Sequence, residues 1–204
     1  MVSYEGEILN RDSVKASILK KFGNKDIDYN KLDEAIDNLV EILIDANTNY
    51  NQDLTLDKLF GWHNALFPKG FSGFHKINTA TFRGDEVMQI VGGYAGNEKV
   101  YYEAPPRDIL ENEIQSFLNW FNLTPEGLIK VCIAHLWFVI IHPFDDGNGR
   151  ITRAITDLVL SKIENSKISR LYSMSSVINN DRKSYYKALE QTTGYIRKED
   201  NHLD

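Results

Sequence analysis

The chain has 204 residues, 42% of them hydrophobic and 25% charged, with a net charge of −6 at pH 7. That is enough apolar material for one domain with a real core. The acidic balance disfavours nonspecific attraction to nucleic acid or to an anionic membrane, so no nucleic-acid or membrane partner is expected. A single cysteine, Cys132, excludes an internal disulfide and suits a cytoplasmic location, and the start lacks the basic-then-apolar pattern of a secretory signal.

Asn10-Arg11-Asp12-Ser13 offers N-cap chemistry for a first helix running to about residue 22, with Gly23 as its stop. A second helix is predicted over about 29–45, where Leu32, Ala35, Ile36, Leu39, Val40 and Leu43 keep the helical period. Asp53 or Thr55 starts a third through Leu59, Trp62, His63 and Leu66, closed by Pro68 and Gly70. The texture then changes. Glycines recur at 70, 73, 84, 92, 93 and 96, and Val87-Met88-Gln89-Ile90-Val91 and Lys99-Val100-Tyr101-Tyr102-Glu103 read as the two strands of a hairpin, the only sheet predicted. Residues 108–121 form an amphipathic helix with Ile109, Leu110, Ile114, Phe117, Leu118 and Phe121 inward, and Pro125 is placed to open the next. The run 128–141 is apolar on nearly every face, which predicts the central helix of a bundle. It falls short of the roughly 20 apolar residues a membrane crossing needs. A helix after Gly149 buries Ile151, Ala154, Ile155, Leu158, Val159 and Ile163, and a last one covers about 181–193.

Between the two most apolar helices the chain reads His142-Pro143-Phe144-Asp145-Asp146-Gly147-Asn148-Gly149-Arg150-Ile151-Thr152-Arg153. Physically this is an anion site. Gly147 and Gly149 allow backbone N–H groups to point into one hollow, which opens on a helix N-terminus that favours phosphate. Arg150 and Arg153, three apart, share a helical face, so the ligand expected is a polyphosphate. Pairing of Arg153 with Asp157 on a solvated face is the plainer alternative. Asp146 is placed to hold Mg²⁺ against phosphate oxygens, and neutral His142 to take a proton from an incoming hydroxyl. Phe144 is the anchor that buries the loop, whereas His63, His75 and His135 are read as structural.

These residues resemble the Fic family, whose signature H-x-F-x-[D/E]-G-N-G-R-x-x-R they match at every fixed position. With average residue usage such a match arises by chance on the order of 10⁻¹⁰ per start point. The resemblance implies a mainly α, Fic-type helical bundle over residues 1–204, with one β-hairpin, or flap, at 82–106 beside the motif at 142–153. It implies a protein adenylyltransferase that binds ATP and Mg²⁺ and transfers AMP to a Ser, Thr or Tyr hydroxyl. His142 would be the general base and Asp146 the metal ligand. Gly147, Asn148 and Gly149 would form the phosphate nest, Arg150 would hold the β-phosphate region, and Arg153 the γ-phosphate. The protein substrate would pair with the flap, and Tyr185 or Tyr186, in the stretch 175–186, would pack against adenine.

Residues 4–14 resemble the inhibitory helix of one Fic subclass, pattern [S/T]-x-x-x-E-[G/N], with Glu5 followed by Gly6. Glu5 would then pair with Arg153 in place of the γ-phosphate. Four residues back stands Met1 rather than Ser or Thr, so the expected brake is a weakly held one at a shortened end. Within the same fold, transfer of phosphate or phosphocholine, removal of AMP, and an idle nucleotide-binding module stay open. So does a homo-oligomeric state.

Overall fold

The computed structural model describes residues 2–4, 7–23, 30, 33–94, 97–165, 178 and 180–193. Its elements in chain order are β1 (Val2–Tyr4), β2 (Glu7–Leu9), α1 (Arg11–Lys21), α2 (Glu34–Thr48), α3 (Leu56–Leu66), β3 (Phe71–Ser72), β4 (His75–Lys76), β5 (Gln89–Tyr94), β6 (Asn97–Glu103), α4 (Arg107–Leu123), α5 (Leu128–Ile141), α6 (Asn148–Glu164) and α7 (Arg182–Thr193). The mainly α architecture with a β5–β6 hairpin is as expected.

Local chemistry sets where the helices start. The Asn10 side chain accepts from the Asp12 and Ser13 N–H groups, Asp33 caps Ile36, and Thr55 caps Lys58. α6 lies at the centre, packed on both α5 and α2, while α4 covers α5 and α3 leans on α2. Phe117, Phe121, Phe138, Ile141, Ile151 and Ile155 fill the space between them. Their burial, at roughly 1.5–3 kcal/mol for each large side chain, is the main force holding the bundle.

Several expectations are corrected. The second helix starts at Glu34 rather than near residue 29; residues 24–29 and 31–32, Leu32 among them, lie outside the described residues. The flap hairpin is not the only sheet. Among the described residues there are three antiparallel pairs: β1 with β2, β3 with β4, and β5 with β6. The β3–β4 strands are two residues long, too short for any period to show, and Gly73 at φ 55° makes their turn. Where the family resemblance implies an inhibitory helix, residues 2–4 and 7–9 pair as strands, and Glu5 and Gly6 lie outside the described residues. Pro125 does not open α5, which begins at Leu128 after Gly127. α5 is not buried all round at its start: Leu128 and Ile129 are 72% and 76% exposed, while Lys130 and Val131 beside them are buried. Ile109 and Ile163 also face outward, at the margins of their stripes. Among the described residues no helix is long and apolar enough to cross a membrane.

Candidate active site

α5 ends on His142, which takes the left-handed conformation, φ 48° and ψ 59°. That reversal turns the chain out of the core and into the motif loop. The imidazole Nδ1 lies 3.3 Å from the Val139 carbonyl. A carbonyl only accepts, so Nδ1 carries the proton and Nε2 keeps its lone pair. Burial pushes the pKa of His142 down to about 4; the Val139 bond opposes this and the Arg83 charge reinforces it. Near neutral pH the ring is therefore a neutral base.

The loop is fixed from within. Phe144 is fully buried, with its ring stacked on His63 at 4.2 Å and 9°. The Phe144 N–H donates to Asn148 Oδ1 at 3.0 Å, and Asn148 Nδ2 donates back to the Phe144 carbonyl at 2.7 Å. Below them, Ala80 N–H donates to His63 Nδ1 at 3.2 Å, so His63 Nε2–H is the donor to the Asp146 carbonyl, also at 3.2 Å. Burial holds His63 neutral, with a pKa near 4. Asp145 faces the same side and accepts from the Asn78 N–H at 2.8 Å and its Nδ2 at 3.0 Å.

At Gly147 two demands coincide. Its φ is +79°, and a Cβ there would lie 2.8 Å from Phe67 Cε2 and 3.1 Å from Leu66 Cδ1. The first α-helical bond beyond it runs from Ile151 N–H to the Gly147 carbonyl. The N–H groups of Asn148, Gly149 and Arg150 therefore precede the ladder, with no carbonyl of their own helix to reach. This narrows the expected nest. The Gly147 N–H donates to Asp146 Oδ1 at 2.5 Å, and the Asn148 side chain is turned inward on Phe144. The amides at the start of α6 are what the loop offers an anion.

Arg150 sits at that opening, 3.5 Å from Asp146 Oδ2 and with its guanidinium 4.7 Å above the Phe67 ring. Arg153, one turn on, is 7% exposed, and its charge adds to the burial that lowers the His135 pKa to about 4. Asp146 also accepts from the Ser72 hydroxyl. Among the described residues no group of three or more side chains could hold a metal alone. One part-exposed carboxylate fits a cation whose remaining ligands are phosphate oxygens and water, the usual arrangement for Mg²⁺.

The flap and the last helix complete the surroundings. β5 and β6 pair from Gln89 with Glu103 to Tyr94 with Asn97, with an irregularity between Ile90 and Val91. Arg83, at the root of this hairpin, is 2% exposed; its Nε–H donates to the His142 carbonyl, and its Nη2 to the Pro105 carbonyl. The Tyr102 hydroxyl donates to the Ile140 carbonyl at 2.7 Å. On α7, Tyr185 meets His135 through its hydroxyl at 3.0 Å, and Tyr186 is 44% exposed beside it, the two rings 5.4 Å apart. The Thr156 hydroxyl already donates to the Thr152 carbonyl, so His135 Nδ1–H donates to Thr156 and Tyr185 donates to Nε2. The sequence reading missed Arg83, and it missed the contacts of Ser72 and His63 with Asp146. Only the neighbouring Phe82 and the glycines hinted at a special stretch around Arg83.

Comparison with known proteins adds a lineage. A probable protein adenylyltransferase of Aquifex aeolicus is 31% identical over 105 residues, which is 48% of this chain and 30% of that protein. A uridine 5′-monophosphate transferase of Xanthomonas campestris is 27% identical over 120 residues, 53% of this chain and 21% of its own length. The chain thus spans less than a third of these two relatives. A Fic family protein from Desulfovibrio desulfuricans superposes with a TM-score of 0.62 at 24% identity, over 91% of this chain and 52% of that one. The model of the Fic/DOC family itself matches residues 53–160, more than half of the chain and the whole of the motif loop, and this chain belongs to that family.

Proposed function

We propose that the chain transfers AMP from ATP to a hydroxyl of a protein target. The observation that carries this reading is a neutral, part-buried His142 with its Nε2 lone pair available, on a loop that ends at the amides and arginines of α6. The names of the two relatives support nucleotidyl transfer in general. The target hydroxyl oxygen attacks the α-phosphorus while its proton passes to His142 Nε2. The bond from the α-phosphorus to the bridging oxygen breaks, and pyrophosphate leaves. Arg150, Arg153 and the α6 amides at Asn148 and Gly149 bind and orient the phosphates, as in other phosphoryl transfers where positioning and charge dominate. Asp146 would hold Mg²⁺, which when bound neutralises phosphate charge. The β5–β6 flap receives the target segment by strand addition. Tyr186, exposed beside Tyr185, is the better placed of the two for adenine, since the Tyr185 hydroxyl is engaged with His135.

The test is incubation with Mg²⁺ and ATP labelled at the α- or the γ-phosphate. Protein-bound α-label that disappears in His142→Ala supports AMP transfer. A γ-label indicates phosphate transfer, and no label despite ATP binding indicates an idle module; either outcome removes the reading. Uridine triphosphate labelled at the same position decides the base. Glu5 is proposed as a brake that competes with phosphate for Arg153. Glu5→Gly should then raise self-labelling, and unchanged labelling removes the brake.

A further inference from the structure

His142 occupies a left-handed conformation, φ 48°, which a residue with a Cβ keeps only where its surroundings enforce it. One residue supplies two of the bonds that do so. Arg83 Nε–H donates to the His142 carbonyl at 2.9 Å, and the Arg83 backbone N–H donates to the Pro143 carbonyl at 2.9 Å. The far arm of the same guanidinium reaches the Pro105 carbonyl. Arg83 and Pro105 are the two ends of the flap stretch, so one side chain closes the hairpin at its root and ties it to the His142 turn. Tyr102, near the end of β6, adds a third tie to the Ile140 carbonyl. At 2% exposure the guanidinium has no face left for a nucleotide. Its planar fork is what the task requires, because the two carbonyls lie in different directions and a lysine ammonium is a single point.

We propose that Arg83 is a positioning residue for the transfer reaction, locking the flap root and the His142 turn into one unit. A target strand paired on the flap then presents its hydroxyl at a fixed place relative to His142 Nε2. Strand addition alone fixes a peptide relative to the hairpin; the Arg83 tie carries that register to the base. The inference rests on the transferase reading above. Misplacing reacting groups by about 1 Å costs on the order of 10²-fold in rate, so the role should appear in kcat and leave nucleotide binding alone.

The experiment compares wild type, Arg83→Lys, Arg83→Ala and Tyr102→Phe by α-label transfer from ATP, with calorimetric ATP binding and thermal unfolding on each. Arg83→Lys is expected to lower kcat by about 10- to 100-fold, with the ATP KM and Kd within about threefold. Millimolar guanidinium should restore part of the lost rate in Arg83→Ala. A purely structural arginine would lower the melting temperature and leave kcat per folded molecule intact, with no rescue. A folded Arg83→Lys with wild-type kcat overturns the proposal while leaving the transferase reading in place. If neither Arg83 variant folds, Tyr102→Phe decides, because it removes one bond from the same root: a lowered kcat at constant ATP affinity supports the proposal, and an unchanged one overturns it. A wild type that binds ATP and transfers no α-label removes both readings.

Discussion

Replacing Gly147 with alanine probes the loop at the point where backbone and packing make the same demand. At φ +79° an alanine pays the left-handed penalty of roughly 1–2 kcal/mol. Its Cβ would also meet Phe67 Cε2 at 2.8 Å and Leu66 Cδ1 at 3.1 Å. Neither can swing away easily, since both are buried and the Phe67 ring is hemmed in by His63 at 5.3 Å and by the Arg150 guanidinium. Overpacking of this kind costs about 1–3 kcal/mol, so the expected destabilisation is roughly 2–5 kcal/mol. That is a large part of the 5–15 kcal/mol typical of a domain. Urea unfolding followed by tryptophan fluorescence reads it directly. In a Phe67→Ala background the closer clash should vanish, leaving about 1–2 kcal/mol for the backbone and the milder Leu66 contact, and giving a coupling between the sites of up to about 3 kcal/mol. A loss below about 1 kcal/mol in the single variant, or an equal loss in both backgrounds, would refute the reasoning.

Asn148→Ala leaves the buried Phe144 N–H and carbonyl without their partner, at about 1–3 kcal/mol for each group, and thermal unfolding should show it together with weaker ATP binding. His63→Ala frees the Asp146 carbonyl and the Ala80 N–H, so transfer should require more Mg²⁺; an unchanged Mg²⁺ titration sinks that link. His63, His135 and His142 are all held neutral by burial, with pKa values lowered from 6.5 to about 4. Below pH 6.5 the unfolded chain takes up protons that the folded one refuses. Stability is therefore full above pH 6.5 and lost progressively towards pH 4, and denaturation series across that window should show a slope that His135→Gln reduces. On the transferase reading, in which neutral His142 is the base, the same shift puts the base limb of the transfer rate near pH 4, and a limb near 6.5 would contradict that role.

Most of the fold could be read from the chain because its signals are periodic and local. The stripe of α6, apart from Ile163 at its margin, and the caps at Asn10 and Thr55 need only neighbouring residues, and they fell where expected. β3 and β4 could not be read, since two-residue strands are specified by a turn and by tertiary contacts. The exposed start of α5 misled for a related reason: a uniformly apolar helix says it is buried and does not say along how much of its length. At the candidate site, the motif shows that His142, Phe144, Asp146 and the start of α6 lie along one short loop. It could not show that the Asn148 side chain serves the loop itself, nor that Arg83, distant in sequence, holds the carbonyl of His142. An arginine in a glycine-rich hairpin looks like a solvated charge until the chain is folded.

The inward turn of Asn148 and His63 has a kinetic consequence. On the transferase reading, the loop that would hold the phosphates has its Phe144 and Asp146 backbone groups already engaged by side chains of the protein. An arriving triphosphate would then meet a mould that is already cast, so little ordering entropy would oppose its capture. Association should then run at the pace of diffusional encounter, with the lifetime of the complex setting its affinity.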